Sequence, residues 1–139
     1  MTGSFEFFDH TADVGVRVVA DTLPELVRAA GEGLYAVLGD LKPGGETRKV
    51  RFQLTGDDRA VLLRDYLAEL LMLFDRDRGI VTAVEVTTFD ERCLHVTVQA
   101  ARLDDERSTY HHEIKAVTYH ELEVRPTGSG YEATFIVDI

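Results

Sequence analysis

Two stretches of helical periodicity set among runs of strand-like alternation constrain this chain more than any other feature. The first stretch carries Leu26, Ala29, Ala30, Gly33, Leu34, Val37 and Leu38. The second carries Val61, Leu62, Tyr66, Leu67, Leu70, Leu71 and Phe74, a broad stripe suited to packing on a sheet. Thr22, Pro24 and Glu25 supply a cap, an early proline and a first-turn acid for the first helix. Gly39-Asp40 ends it, and Pro43-Gly44-Gly45 is expected to be a loop. Gly56-Asp57-Asp58 starts the second helix, which closes over Asp75 to Gly79.

The remaining periodicity is that of strands. Val14–Ala20 is rich in β-branched residues. Arg48–Leu54 places Val50, Phe52 and Leu54 on one face. Beyond Gly79 only strand patterns occur. Ile80–Phe89 and Leu94–Ala101 flank the turn Asp90-Glu91-Arg92, and Glu113–Val124 and Tyr131–Ile139 flank Pro126–Gly130. Two helices among roughly six strands, with late hairpin-like links, predict an α+β fold: a mostly antiparallel sheet packed against two helices. The 139 residues suit a single domain spanning 1–139, with no repeat or linker.

Charge and cysteine content narrow the function classes. With 25 acidic and 15 basic residues, the net charge is −10. Such a field repels a phosphate backbone, so no stable direct nucleic-acid binding is expected. It suits a cation or a basic partner surface. The single cysteine, Cys93, excludes an internal disulfide and a multi-thiolate zinc site and points to a reducing compartment. The first residues lack the features of a signal peptide, and no apolar run reaches membrane-spanning length. A cytoplasmic protein without membrane association is expected.

Carboxylates at strand ends are the candidate chemistry. In the last strand Tyr131, Ala133, Phe135, Val137 and Ile139 share one face, leaving Glu132, Thr134, Ile136 and Asp138 on the more polar one. Asp13, Gly15 and Arg17 oppose Val14, Val16 and Val18 in the first strand pattern, with Asp9, His10 and Thr11 expected in the loop before it. If these strands are neighbours, Asp13, Asp138 and the α-carboxylate of Ile139 offer only hard oxygens. Such a set selects calcium, magnesium or manganese over zinc. The plainer alternative is solvated strand ends.

Other residues present similar choices. Lys115 shares a strand face with Glu113, Val117 and Tyr119, fit to bind an anion or a carboxylate, or simply to lie over the sheet. Asp65 and Glu69 are neighbours on the second helix, able to add to a cation site, face a basic partner, or stand in solvent. His111 and His112 alternate on a strand, and His112 and His120 stand too far apart for one coordination sphere, so a histidine metal site is set aside. Cys93 reads as a structural thiol. No phosphate-binding glycine loop or nucleophile motif occurs.

Four stretches together resemble the archease family, in its order and at its spacing over nearly the whole chain. They are Asp9-His10-Thr11-Ala12-Asp13-Val14-Gly15-Val16, Leu63 to Asp75 on the second helix, Glu113-Ile114-Lys115-Ala116-Val117-Thr118-Tyr119-His120, and Phe135-Ile136-Val137-Asp138-Ile139. The resemblance implies an accessory protein rather than an enzyme. Archeases assist an RtcB-type tRNA-splicing RNA ligase, which uses manganese and GTP and forms a guanylated histidine. They promote its guanylation and multiple turnover and broaden its nucleotide use. The resemblance further implies a divalent cation, calcium foremost, held at Asp13, Asp138 and Ile139. It also implies a functional role for Lys115. His10, Asp65 and Glu69 are taken from the residue pattern as further functional or partner-facing residues. Two other classes fit the residues less well: a metal-dependent hydrolase built on the same carboxylates, and an RNA chaperone.

Overall fold

Thr22 begins the first helix as expected: its hydroxyl accepts from the Glu25 amide at 3.3 Å, satisfying one of the donors a helix start leaves over. The computed structural model describes residues 3–10 and 13–139, and only the backbone of Asp9 and His10. In chain order the elements are β1 (Gly3–His10), β2 (Asp13–Ala20), α1 (Leu23–Leu38), β3 (Gly39–Asp40), β4 (Pro43–Thr55) and α2 (Arg59–Asp77). Then follow β5 (Gly79–Phe89), β6 (Cys93–Leu103), β7 (Thr109–Tyr110), β8 (Ala116–Val117), β9 (Glu123–Pro126) and β10 (Tyr131–Asp138). Asp58 caps α2 by accepting from the Ala60 amide at 2.7 Å. Arg78, left-handed at φ 54°, closes it with its own N–H on the Leu73 and Phe74 carbonyls.

The fold is α+β, and every strand pairing among the described residues is antiparallel. One sheet runs β1-β2-β10, with β8 and β9 sharing the far edge of β10. A second runs β4-β6-β5, and β3 pairs with β7 in a short ribbon. Helix α1 packs on β1, β2 and β10 and also meets β5; α2 packs on β4, β5 and β6 and reaches β8. The core lies where these inner faces meet the helices. Val16, Leu26, Leu34, Leu62, Tyr66, Leu67, Leu70 and Phe135 are all at 0% exposure there. Each such side chain contributes about 1.5–3 kcal/mol of burial. Among the described residues none of the helices is long and apolar enough to cross a membrane.

Several sequence expectations need correcting. The segment before β2 is not a loop. Phe5, Glu6, Phe7 and Phe8 lie in β1, and the register carries the pairing through Asp9↔Val14 and His10↔Asp13. Thr11 lies outside the described residues. Pro43-Gly44-Gly45 is the irregular start of β4, where the register on β6 shifts between Pro43 and Thr47. Gly45 takes φ +83° there, a conformation only glycine adopts cheaply.

The expected strand Glu113–Val124 is broken. Thr118 donates from both its amide and its hydroxyl to the Ile136 carbonyl, and its hydroxyl accepts from the His120 amide. Glu121 then turns at φ 51°. The chain leaves the edge of β10 after β8 and returns to the same edge as β9. A side-chain hydroxyl that competes for backbone groups interrupts the ladder.

Candidate functional site

The central register brings the two distant aspartates together. In the β2–β10 pairing Asp138 is the direct partner of Asp13, one step beyond Val137↔Val14. On the β1 side Asp13 is the partner of His10, and on the β8 side Asp138 is the partner of Ala116. Directly opposed residues share a face and hold their Cβ atoms about 4.5–5.5 Å apart. Both aspartates are half-buried. Ile139 follows directly, its side chain packed against the core. Two carboxylate-bearing residues thus stand opposite one another at one end of the sheet, with Ile139 next to Asp138 in the chain. Their oxygen-only chemistry fits a hard divalent cation. The His10 side chain lies outside the described residues.

Below this pair the outer face of the sheet is closed by apolar packing. The Phe8 ring lies where a Cβ on Gly15 would stand, so only glycine fits opposite it. Arg17 covers Phe8 at 5.4 Å and bonds Glu6 at 2.6 Å. Ile136, expected on the mixed face, is at 0% exposure. The acidic end therefore adjoins the apolar packing of Phe8, Gly15 and Ile136.

The C-terminal ends of both helices come to this end of the molecule. The amides of His111 and His112 donate to the Leu38 carbonyl at the close of α1. Met72, Asp75 and Arg76 of α2 line a groove with Lys115 and Ala116. Helix C-termini carry partial negative charge, and the last turn of α1 holds no basic residue to offset it. Burial pushes the Asp75 carboxyl above its ordinary range; Arg78 pulls it back and Glu113 adds to the rise. The α1 terminus therefore favours positive charge, whereas Arg76 in the last turn of α2 offsets the other.

The remaining predicted residues are placed as follows. The Lys115 amide donates to the Asp138 carbonyl at 2.7 Å, so its backbone adjoins the aspartate pair. Lys115 also lines the α2 groove. Asp65 is bonded to Arg64 at 2.9 Å, and Asp65 and Glu69 are both half-buried on α2. Neither joins Asp13 and Asp138: among the described residues no three His, Cys, Asp or Glu side chains are placed to hold a metal. His111 and His112 do not lie on a strand, so the alternation argument does not apply to them; both line the same two clefts beside Leu38 and Val37.

Sequence reasoning gave no role to Arg64. Its Nε donates to the Val117 carbonyl at 2.9 Å and its guanidinium lies 4.3 Å from the Tyr119 ring centre. It fastens α2 to the β8 edge. No local signal marks a contact made across so much sequence.

Comparison with known proteins agrees with this fold. The profile of the archease protein family (MTH1598/TM1083) matches residues 5–139. An archease of Methanosarcina mazei is 33% identical over 140 residues, covering 97% of this chain and 95% of its own. The solution structure of Methanobacterium thermoautotrophicum protein 1598 superposes with a TM-score of 0.75 at 31% identity, covering 97% of this chain and 98% of its own. A crystal structure from Thermotoga maritima, described as an archease and possible chaperone, superposes at 0.69 over 95% and 94% of the two chains; at 16% identity it speaks for the fold alone.

Proposed function

The chain belongs to the archease family, and from this premise we propose that it activates an RtcB-type tRNA-splicing RNA ligase without catalytic chemistry of its own. In this reading it promotes guanylation of the ligase, allows multiple turnover and broadens nucleotide use. One observation carries the proposal: Asp13 and Asp138, at opposite ends of the sequence, are direct cross-strand partners beside Ile139.

Asp13, Asp138 and the Ile139 carboxylate would hold a divalent cation, calcium foremost, with magnesium or manganese as alternatives. Three carboxylates supply three to six oxygens, depending on how many bind bidentately, against the six to eight calcium takes, so water or the partner would complete the shell. The cation would supply positive charge where phosphates are handled. The protein's own part is to fix the two aspartates on a flat, apolar-backed sheet end, with their orientation set by the ladder. Lys115, joined through its amide to Asp138, would orient a carboxylate or touch a phosphate. The acidic balance of the chain supports a basic protein partner rather than free RNA.

Ligation measured under single and multiple turnover tests the proposal. With Asp138→Ala the ligase is expected to complete its first round and then stall. Undiminished multiple turnover sinks the reading. Calorimetric titration of the purified protein with calcium, magnesium and manganese ranks the ions, and Asp13→Asn is expected to weaken the preferred one by about tenfold or more, roughly 1.4 kcal/mol.

A further inference from the structure

The groove between α2 and the β8 edge runs against the charge of the rest of the molecule. It encloses about 410 Å³, and Arg64, Arg76 and Lys115 all line it. The chain has 25 acids for 15 bases, so a surface cation has ample opportunity to pair. Ten ion pairs do form among the described residues. The side chains of Arg76 and Lys115 enter none of them. Arg64 is held in place by the Val117 carbonyl, Asp65 and Tyr119.

Aromatic and apolar surface adjoins these cations. Tyr119, stacked on Arg64, is 62% exposed, and Met72 on the groove wall is 51% exposed. One carboxylate, Asp75, also lines the groove, and the negative end of α2 opposes an anion. Arg64 is offset by its own partner Asp65, so Arg76 and Lys115 supply the unpaired positive charge against these two, and Arg64 supplies fixed N–H donors. Arg76 additionally sits in the last helical turn, where a cation offsets the dipole.

We propose that Arg64, Arg76 and Lys115 form a phosphate-binding groove for the phosphate groups of a nucleotide or of an RNA end, next to the Asp13–Asp138 pair. The chemistry is that of any phosphate site: charge-assisted N–H donors, one of them a guanidinium fixed by its neighbours. An exposed tyrosine beside it can stack a base. The groove is one site of three cations on an acidic protein, so its affinity is modest, about millimolar for the free protein. The inference rests on the ligase-activating reading only for its biological use; the binding itself does not depend on it.

The test uses the full chain and follows the amides of Lys115, Ala116 and Val117 by NMR. Inorganic tripolyphosphate, a nucleoside triphosphate and a 3′-phosphorylated oligoribonucleotide are titrated separately. Tripolyphosphate is expected to shift these amides, with Arg76→Glu and Lys115→Gln each weakening it about tenfold. Arg51→Glu, on the exposed face of β4, is expected to leave it unchanged. Whichever of the nucleotide and the oligonucleotide moves the same amides identifies the source of the phosphate. Both tested side chains are exposed, so a thermal midpoint equal to that of the parent shows that the variants fold. Amides that stay still with all three probes, or equal affinity in Arg76→Glu, overturn the groove whatever the ligase does. Loss of ligase activation with phosphate binding intact instead strikes the function proposed above and leaves the groove standing.

Discussion

The two larger sheets each combine one tight hairpin with one distant pairing, but they join different parts of the chain. In the β4-β6-β5 sheet a tight turn joins β5 to β6, and β4 reaches β6 across α2. In the β1-β2-β10 sheet a tight turn joins β1 to β2, and β10 closes the two ends of the chain on one another, with β8 and β9 on its far edge. The first sheet carries core and turn chemistry. The second carries the aspartate pair, with Lys115 beside it. Chemistry collects where distant segments meet, because only there can residues from several motifs share a few ångströms.

Breaking each sheet at its apolar face measures this contrast most strongly. Phe135, at 0% exposure in β10, is expected to cost about 3–5 kcal/mol on replacement by alanine. Leu54 of β4, only partly buried, is expected to cost below about 2 kcal/mol. Chemical denaturation of the two variants checks this, and equal losses erase the distinction. Next in size, Gly15→Ala sets a methyl group into the Phe8 ring and is expected to cost about 1–3 kcal/mol. A neutral result means that Phe8 does not press on the sheet.

Where the two halves join, a substitution is expected to stabilise. The Tyr66 hydroxyl is buried without a hydrogen-bond partner among the described residues, while its ring packs on Phe52 at 5.8 Å. Tyr66→Phe keeps the ring and is expected to raise stability by about 1 kcal/mol or more, read as a higher thermal midpoint. A fall in midpoint shows that the hydroxyl is satisfied.

The smallest effects are electrostatic and opposite in sign. In the β5–β6 turn, the amides of Arg92 and Cys93 donate to Asp90 and hold its carboxyl below the ordinary range. A lowered carboxyl contributes stability above its ordinary pKa, and that stability is lost as pH falls through the folded value. Asp90→Asn is therefore expected to flatten the loss below about pH 4. At the acidic end, burial raises Asp75. Its contribution is present in acid and lost as pH rises through the folded value, so Asp75→Asn is expected to gain stability at neutral pH relative to acid. Midpoints of both variants across pH 3 to 7, about the carboxylate range, separate the two signs.

The extent to which the sequence revealed all this follows the same division. The caps at Thr22 and Asp58, the helical stripes and the β5–β6 turn were legible because each is written within a few consecutive residues. The first strand escaped notice because Phe7 and Phe8 break its alternation. The split of Glu113–Val124 escaped because it depends on a carbonyl of Ile136 in another strand. Arg64 and the second cation of its groove, Arg76, carried no signal at all.

By itself the sequence determined the class of fold, the acidity, the absence of a disulfide and the family likeness, all of which follow from composition and short-range pattern. The tertiary structure decided that Asp13 faces Asp138, that Gly15 must remain bare beneath Phe8, and that Lys115 lines a groove with α2 while its amide bonds Asp138. Strand register and side-chain direction are set by which edges pair and what covers them. Those choices are made by the packing of the whole chain, not by any segment of it.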